Sequence, residues 1–526
     1  MNHFQRFVQE GGQREARKLA WLSVASGLTS ALMLALVSNA VNQTAADWLS
    51  YPLFLLAFGG YFMATKLSLK GADVLIERLL KDLRVRLTEK IRHSELRIVE
   101  ELGRGELFTS VSQCTNQLSK IFPLVVNALQ ELIIVLICFL YIAHLSLVAF
   151  AVLLAVTALA VRQFQISRAL AQQQYQQRHQ GEAELLDSLG HIVDGFKEIR
   201  LNQRKRESLY QSYAGLTEKL RELAFSIAQA QVSLFLLSTS FLYLTLAGMA
   251  YLLPQYVTVD VFRLCAALLF CIGPLAGVVG LMPLLWTAEA GLKNIYDLEA
   301  VLDVGLSAGP VVRLEGFQRI GYQGITFSYG DEFRSGPWSI TLQRGEIVFL
   351  VGGTGSGKST VLKLLSGLYE SESGAIRVDD RILSRADRAG LRELFSGVFT
   401  DFHLFDRLYG AEEADPVRLL REMGLEGKVR FEDGRFTNLA LSTGQRKRLA
   451  LVVALLEDKP IYVFDEWAAD QDAHFREYFY QGVLPELKRR GKTVICATHD
   501  DRYWGTADRV IRFDLGRIVE LDPHED

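Results

Sequence analysis

Six stretches of predominantly apolar residues constrain what the first half of this chain can become. A bilayer core of about 30 Å is crossed by about 20 such residues as helix. The stretches run over roughly 19–41, 49–67, 121–143, 145–164, 230–253 and 261–286. The third and fourth lie so close together that their boundary near His144 is open. The 526 residues are 49% hydrophobic yet 22% charged, and those averages conceal a division into apolar spans first and a soluble α/β pattern after them. A formal charge of −3 gives no sign of nucleic-acid binding. Cys114, Cys138, Cys265, Cys271 and Cys496 show neither a CxxC pair nor metal-ligand spacing, so no disulfide framework is expected. The N-terminal MNHFQRFVQEGGQREARK is polar and has no apolar core before a cleavage site, so no cleaved signal peptide is expected.

Positive charge predicts orientation. The connection after the second span carries Lys70, Arg78, Lys81, Arg84 and five more cations. The one after the fourth carries Arg168, Arg178, Lys197, Arg200 and others. The remaining connections, NQTAADWLS, the few residues around His144, and PQYVTVD, contain no Lys or Arg. The N-terminus, both long connections and the C-terminal half are therefore expected in the cytoplasm. In the long connections apolar residues recur at three- and four-residue steps, as in LIERLLKDLRVRLTEKIRHSEL, so the membrane helices are expected to continue outward. Glycine breaks in ELGRGELF (101–108) and DSLGHIVDGFKEIRLN (187–202) predict short transverse helices that touch another domain. The domain reading is a membrane domain over 1–304, a Gly/Pro linker at 305–312 and an α/β domain over 313–526. Its expected strands are GITFSY, WSITL, EIVFLV, SGVFT, PIYVFD, TVICAT and RVIRF.

The chemistry is concentrated in that last domain. The run GGTGSGKST comprises Gly352, Gly353, Thr354, Gly355, Ser356, Gly357, Lys358, Ser359 and Thr360. It lies between a buried-strand pattern and a helical one, which fits a phosphate-binding loop in full. Lys358 is placed to reach the β- and γ-phosphates and Ser359 to ligate Mg²⁺. PIYVFDEW ends an apolar strand in two carboxylates. Asp465 can hold Mg²⁺ opposite Ser359, and Glu466 then points at an attacking water as general base. LSTGQRKRLALVVALL opens a helix capped by Ser442, with Thr443, Gly444 and Gln445 at its start, again an anion site.

With ATHD (497–500) these motifs resemble the ATPase of ABC transporters, whose usual pattern at 441–445 is LSGGQ. The resemblance covers the whole chain. It implies a half-transporter of the exporter type, with an all-α six-helix transmembrane domain followed by an α/β P-loop nucleotide-binding domain. It further implies that Tyr329 stacks on adenine, His499 contacts the γ-phosphate, and Asp472 crosses to the other subunit. Ser442 and Gly444 would face the nucleotide held by the partner's Lys358. A homodimer in a lipid bilayer, using ATP and Mg²⁺ and no nucleic acid, follows from the same resemblance.

Three departures stand out. Thr400 occupies the place of the usual Mg²⁺-linking glutamine; a threonine is a weaker ligand, and Asp401 is the alternative. Thr443 replaces a glycine. Only 41 residues separate Thr400 from Ser442, which is short for an exporter's helical subdomain. FSGVFTDFHLFD, LSTGQRKRLAL, DEWAADQD and THDD resemble cyclic-peptide exporters, including pyoverdine-type siderophore exporters of Gram-negative bacteria. That subgroup implies ATP-driven movement of a peptide, often a non-ribosomal siderophore or its precursor, from cytoplasm to periplasm across the inner membrane. A lipid or drug exporter with the same engine, and a siderophore importer on the exporter fold, are the alternatives. Glu131, with Asn127 and Gln130 in the third span, either lines the cargo path or is neutralised by a neighbouring helix. Gly273, Pro274, Gly277, Gly280 and Pro283 in the last span suit a deformable helix or close packing.

Overall fold

The apolar runs of the first half fold as long helices in the computed structural model, which describes residues 2–10, 13–42, 48–255, 260–304, 314, 316–330, 333–410 and 415–521. The expected linker 305–312 lies outside the described residues, as do 43–47 and 256–259 in two of the connections and the side chain of Pro283. The chain divides into two compact units. One comprises Met1–Lys90 and Gly103–Val301, the other Ile91–Leu102 and Leu302–Asp526.

The first unit is helical: α1 (Asn2–Glu10), α2 (Gln13–Asn42), α3 (Ser50–His93), the latter part of α4 (Leu96–Phe108), α5 (Thr115–Leu145), α6 (Leu147–Asp194), α7 (Phe196–Leu201), α8 (Gln203–Ala247) and α9 (Val261–Val304). The helices α3, α6, α8 and α9 have 44, 48, 45 and 44 residues. At 1.5 Å per residue each is about 66–72 Å long, over twice a hydrocarbon core of about 30 Å. Each of these helices thus runs on well past its apolar stretch, as the periodicity predicts. Five described helical stretches are long and apolar enough to cross a membrane: Arg14–Val37, Ser50–His93, Ser110–Leu145, Gln203–Gln255 and Val261–Asp303. The expected span at 145–164 opens α6, where the apolar stretch Leu147–Gln163 falls just short of that length. The boundary left open near His144 lies at Ser146, whose extended backbone ends α5 and whose hydroxyl accepts from the Ala149 N–H to start α6.

Small and polar residues join these helices. Ser26 meets Thr65 at 2.7 Å and Ser23 meets Ser68 at 3.3 Å, both pairs joining α2 to α3. The carboxylate of Glu131 on α5 lies in the notch that Gly277 leaves on α9; a Cβ there would fall 1.9 Å from Oε2. The guanidinium of Arg86 on α3 bonds Glu299 on α9 at 2.6 Å and Glu10 on α1 at 2.9 Å.

The second unit holds two large sheets. One is antiparallel, in the order β2-β1-β4-β5, from β1 (Arg319–Tyr329), β2 (Phe333–Gln343), β4 (Ser373–Val378) and β5 (Arg381–Ile382). The other runs β12-β11-β3-β10-β9-β6, from β3 (Ile347–Val351), β6 (Phe395–Val398), β9 (Ile461–Asp465), β10 (Thr493–Ala497), β11 (Arg509–Asp514) and β12 (Arg517–Leu521). It is parallel except at β12. Every residue of β3, β9 and β10 is buried, the pattern of parallel strands covered on both faces. Two short strands, β7 (Phe431–Glu432) and β8 (Arg435–Phe436), form a hairpin beyond them.

Ile91–Leu102, sequence that lies between membrane spans, belongs to this second unit. The segment is held there by charge. Arg385 bonds Glu95 at 2.6 Å, Lys363 bonds Glu100 at 2.8 Å, and the Arg97 guanidinium lies 5.5 Å from the Phe327 ring centre. The helix α4 kinks at Gly103, whose backbone (φ 71°, ψ 163°) is non-helical. The break expected at 187–202 holds the short helix α7, whose Leu201 is 90% exposed.

Candidate active site

The phosphate-binding loop follows the central strand β3, and α10 (Lys358–Leu365) begins at its end. Gly352 has φ 149°, and a Cβ on it would lie 2.2 Å from the carbonyl of Phe513, so only glycine fits where the loop leaves the sheet. The first amides of α10 have no partner within the helix and, with its dipole, favour an anion. Ser356 is buried, and among the described residues its hydroxyl has no hydrogen-bond partner, as suits a loop shaped around a polar group.

Lys358 is the centre of charge. Its buried ammonium donates to the carbonyls of Gly352 at 3.0 Å and Gly353 at 3.1 Å, and lies 3.2 Å from His499 Nε2 and 3.8 Å from the Glu466 carboxylate. Burial pulls it below the usual lysine range, while Glu466 and Asp465 pull it back up. His499 Nε2 also lies 3.0 Å from Glu466 Oε1. One imidazole nitrogen either accepts from the ammonium or donates to the carboxylate, so this nitrogen serves one neighbour at a time.

Asp465 ends the buried strand β9. Its Oδ1 accepts from Ser359 Oγ at 3.1 Å and its Oδ2 from Thr400 Oγ1 at 3.1 Å. Burial raises the carboxyl above its ordinary range, and the two hydroxyl bonds oppose that. Among the described residues no group of three or more His, Cys, Asp or Glu could hold a metal. One carboxylate with two hydroxyls suits instead a hard cation that keeps water and phosphate oxygens as its other ligands. Asp401, the alternative to Thr400, is exposed. Glu466 follows with a left-handed backbone (φ 50°, ψ 36°), uncommon for a residue with a side chain.

The remaining expected residues lie elsewhere in the same unit. Ser442 caps α13 (Thr443–Leu456), the next long helix after the short α11 (Arg388–Arg392) and α12 (Val417–Glu422). Ser442 and Gln445 form a reciprocal capping box. Gly444 is close-packed: a Cβ there would lie 2.8 Å from the Asp470 carbonyl. Asp472 caps the following helix, accepting from the Phe475 N–H at 3.0 Å.

The Tyr329 hydroxyl donates to Tyr369 at 2.9 Å, and Tyr369 in turn donates to Glu100. Burial and the Glu100 carboxylate both push the Tyr369 hydroxyl up. Sequence reasoning missed Tyr369, Glu100 and Phe333, whose ring packs on Gly357. The aromatic at Phe333, four residues after Tyr329 in a hairpin and half-buried, was the one available signal.

Known proteins share this sequence pattern and this fold. The pattern described as "ABC transporter" matches residues 336–469, and that described as "ABC transporter transmembrane region" matches 19–262. The chain is 32% identical over 539 residues to the ATP-binding protein SyrD of Pseudomonas syringae pv. syringae, covering 95% of this chain and 94% of that protein. It is 26% identical over 488 residues to an ATP-dependent lipid A-core flippase of Alkalilimnicola ehrlichii, covering 85% and 80%. A solved bacterial Atm1-family ABC exporter with ATP bound superposes with a TM-score of 0.79 at 17% identity, over 98% of this chain and 94% of that one, a likeness of fold.

Proposed function

The chain belongs to the ABC transporter family, and we propose that it works as a homodimeric pump of the inner membrane, using ATP to export a peptide from cytoplasm to periplasm. The cargo class is a cyclic or non-ribosomal peptide such as a siderophore or its precursor. The chain is an ATPase-coupled transporter with the exporter fold.

The observation that carries the hydrolytic reading is the convergence of Lys358, Glu466 and His499 beside Asp465. Lys358 exchanges its loop carbonyls for the β- and γ-phosphates. Glu466 takes the proton of the attacking water, and His499 holds the γ-phosphate and leaves the carboxylate free to do so. Ser359 and Asp465, with Thr400 as the third oxygen, would hold Mg²⁺, which supplies charge neutralisation across the phosphates. Ser442 and Thr443 are exposed at the start of α13. That supports a second copy presenting this helix end to the nucleotide, with Asp472 at the same seam and Tyr329 under the adenine.

The strings FSGVFTDFHLFD, LSTGQRKRLAL, DEWAADQD and THDD support the peptide class. In this reading Glu131 lines the cargo path as its polar contact. A second reading, lipid export, is favoured by the similarity to the lipid A-core flippase and by an apolar cavity of about 570 Å³ bordered by Phe139, Phe235, Phe241 and Leu275. Cells lacking the protein should accumulate a peptide, and inside-out membrane vesicles should take that peptide up when given ATP. Flipping of a lipid instead would select the second reading, and ATP-driven release from such vesicles would mean import.

A further inference from the structure

The helix that starts at Ser442 is fastened to the segment bearing Glu466. Gln471 Nε2 donates to the Gly444 carbonyl at 3.1 Å, and Trp467 Nε1 donates to the Lys447 carbonyl at 2.8 Å. The Lys447 ammonium donates to the carbonyl of Glu466 at 2.8 Å and pairs with Asp470 Oδ2 at 2.7 Å. Lys447 is buried on α13, only 3% exposed. A buried ammonium is expensive unless it is paired and hydrogen-bonded. Packing alone is served as well by an apolar side chain of the same length. What the charge adds here is a grip on one backbone carbonyl, and that carbonyl belongs to the residue with the left-handed conformation. Such a conformation persists only where its surroundings over-determine it. Glu466 is held at both ends: its N–H donates to the Ala497 carbonyl at 3.1 Å, and its own carbonyl accepts from Lys447 at 2.8 Å and, at the longer distance of 3.3 Å, from the Ala469 N–H.

We propose that Lys447 is a positioning residue for ATP hydrolysis. It fixes the Glu466 backbone so that the carboxylate meets His499 and Lys358, and it ties that placement to the helix end presented to the second nucleotide. Through it, occupancy of one site sets the geometry of the base in the other. This inference rests on the reading of Glu466 as general base.

The test uses the full-length protein in lipid nanodiscs with MgATP. Lys447→Met should lower kcat by about tenfold or more, an effect of the size expected for a misplaced base. KM for ATP and affinity for a fluorescent ATP analogue should stay within about twofold, because Lys447 touches no nucleotide. Lys447→Arg, which keeps the charge, should recover most of the rate. Asp470→Asn should lower kcat with KM unchanged, and adding it to Lys447→Met should cost nothing further, as for two members of one unit. A wild-type kcat in Lys447→Met overturns the proposal. So does a parallel loss of kcat and nucleotide affinity that Lys447→Arg fails to rescue, because that is a folding role. If Lys447→Met does not accumulate as folded protein, a wild-type kcat in Asp470→Asn overturns it. Glu466→Gln separates the two readings: near-normal hydrolysis there defeats the base assignment itself, whereas a dead Glu466→Gln beside an active Lys447→Met defeats only the role of the lysine.

Discussion

The hydroxyl of Thr400 donates to Oδ2 of Asp465 at 3.1 Å, on the carboxylate oxygen opposite the one that Ser359 reaches. We propose that this threonine stands on the cation side of the site, where the resemblance to ABC transporters implies a longer amide. Thr400→Val keeps the shape and removes the oxygen. A hydrogen bond to a charged group contributes about 1.5–3 kcal/mol, so ATPase activity at limiting Mg²⁺ should fall about 10- to 100-fold and recover partly at high Mg²⁺. Asp401→Asn should leave the Mg²⁺ titration of ATPase unchanged. The reverse pattern would move the role to Asp401.

Burial holds the Asp465 carboxyl above its ordinary range. A raised value means that the folded chain binds this proton more tightly than the unfolded chain. Its stabilising contribution is present below the unfolded value and is lost as pH rises through the folded one. At neutral pH the ionised carboxylate is then a net cost in protein without nucleotide or Mg²⁺. Asp465→Asn should raise the unfolding midpoint of the nucleotide-binding unit by about 2–4 °C, the response to ~1 kcal/mol at this size. The gain should shrink as pH falls toward about 4, while Mg²⁺-dependent hydrolysis is lost at every pH. Calorimetry across pH checks the first point and phosphate release the second.

Glu466→Gln should bind ATP, remain dimeric in its presence and hydrolyse about 10²–10⁴-fold more slowly, the range for removal of a general base. His499→Ala should lose rate with Glu466 intact. Phosphate release together with size-exclusion chromatography in ATP reads both. A Glu466→Gln protein that turns over normally would require another base.

Gly277→Ala would place a methyl carbon 1.9 Å from Glu131 Oε2, so the carboxylate must leave its 3.0 Å bond with Asn127. The expected cost is about 1–3 kcal/mol for an overpacked site. Adding Glu131→Ala should return part of it, with a coupling of about 0.5–3 kcal/mol. Thermal stability in detergent measures that coupling. Transport by Glu131→Ala alone measures whether the carboxylate also meets the cargo.

Glu100→Ala removes the acceptor shared by Tyr369 and Lys363. Amide exchange across 91–102 should then accelerate, and the Tyr329 ring should lose the support of its neighbour. Hydrogen-exchange mass spectrometry with and without ATP checks this. Unchanged protection in 91–102 would show that its other ion pair, Arg385 with Glu95, suffices.

Much of the engine was legible because its signals are local. The loop 352–360 needs glycines at fixed offsets, Ser442 is a helix cap, and each of the seven expected strands overlaps β1, β2, β3, β6, β9, β10 or β11. The strands that escaped notice include the two-residue β5, β7 and β8 and two of ordinary length. SGAIRV of β4 and RIVEL of β12 lack the unbroken apolar run of PIYVFD. Ser146 was a readable cap, hidden between two spans whose hydropathy merges. Other features depend on distant partners and have no local mark. No spacing rule joins Glu100 to Tyr369, or predicts that Lys447 turns inward to a carbonyl. The left-handed backbone of Glu466 carries no glycine to announce it.

The second unit takes in Ile91–Leu102 and then resumes at Leu302. During synthesis its first piece leaves the ribosome 200 residues ahead of the rest, a delay of about 10–40 s at ~5–20 residues per second. Over that interval Glu95, Arg97 and Glu100 wait without their partners while the intervening helices are threaded into lipid. The ATPase surface is therefore completed only after the membrane part has been built, and a fragment beginning at 313 would be born without a piece of its own wall.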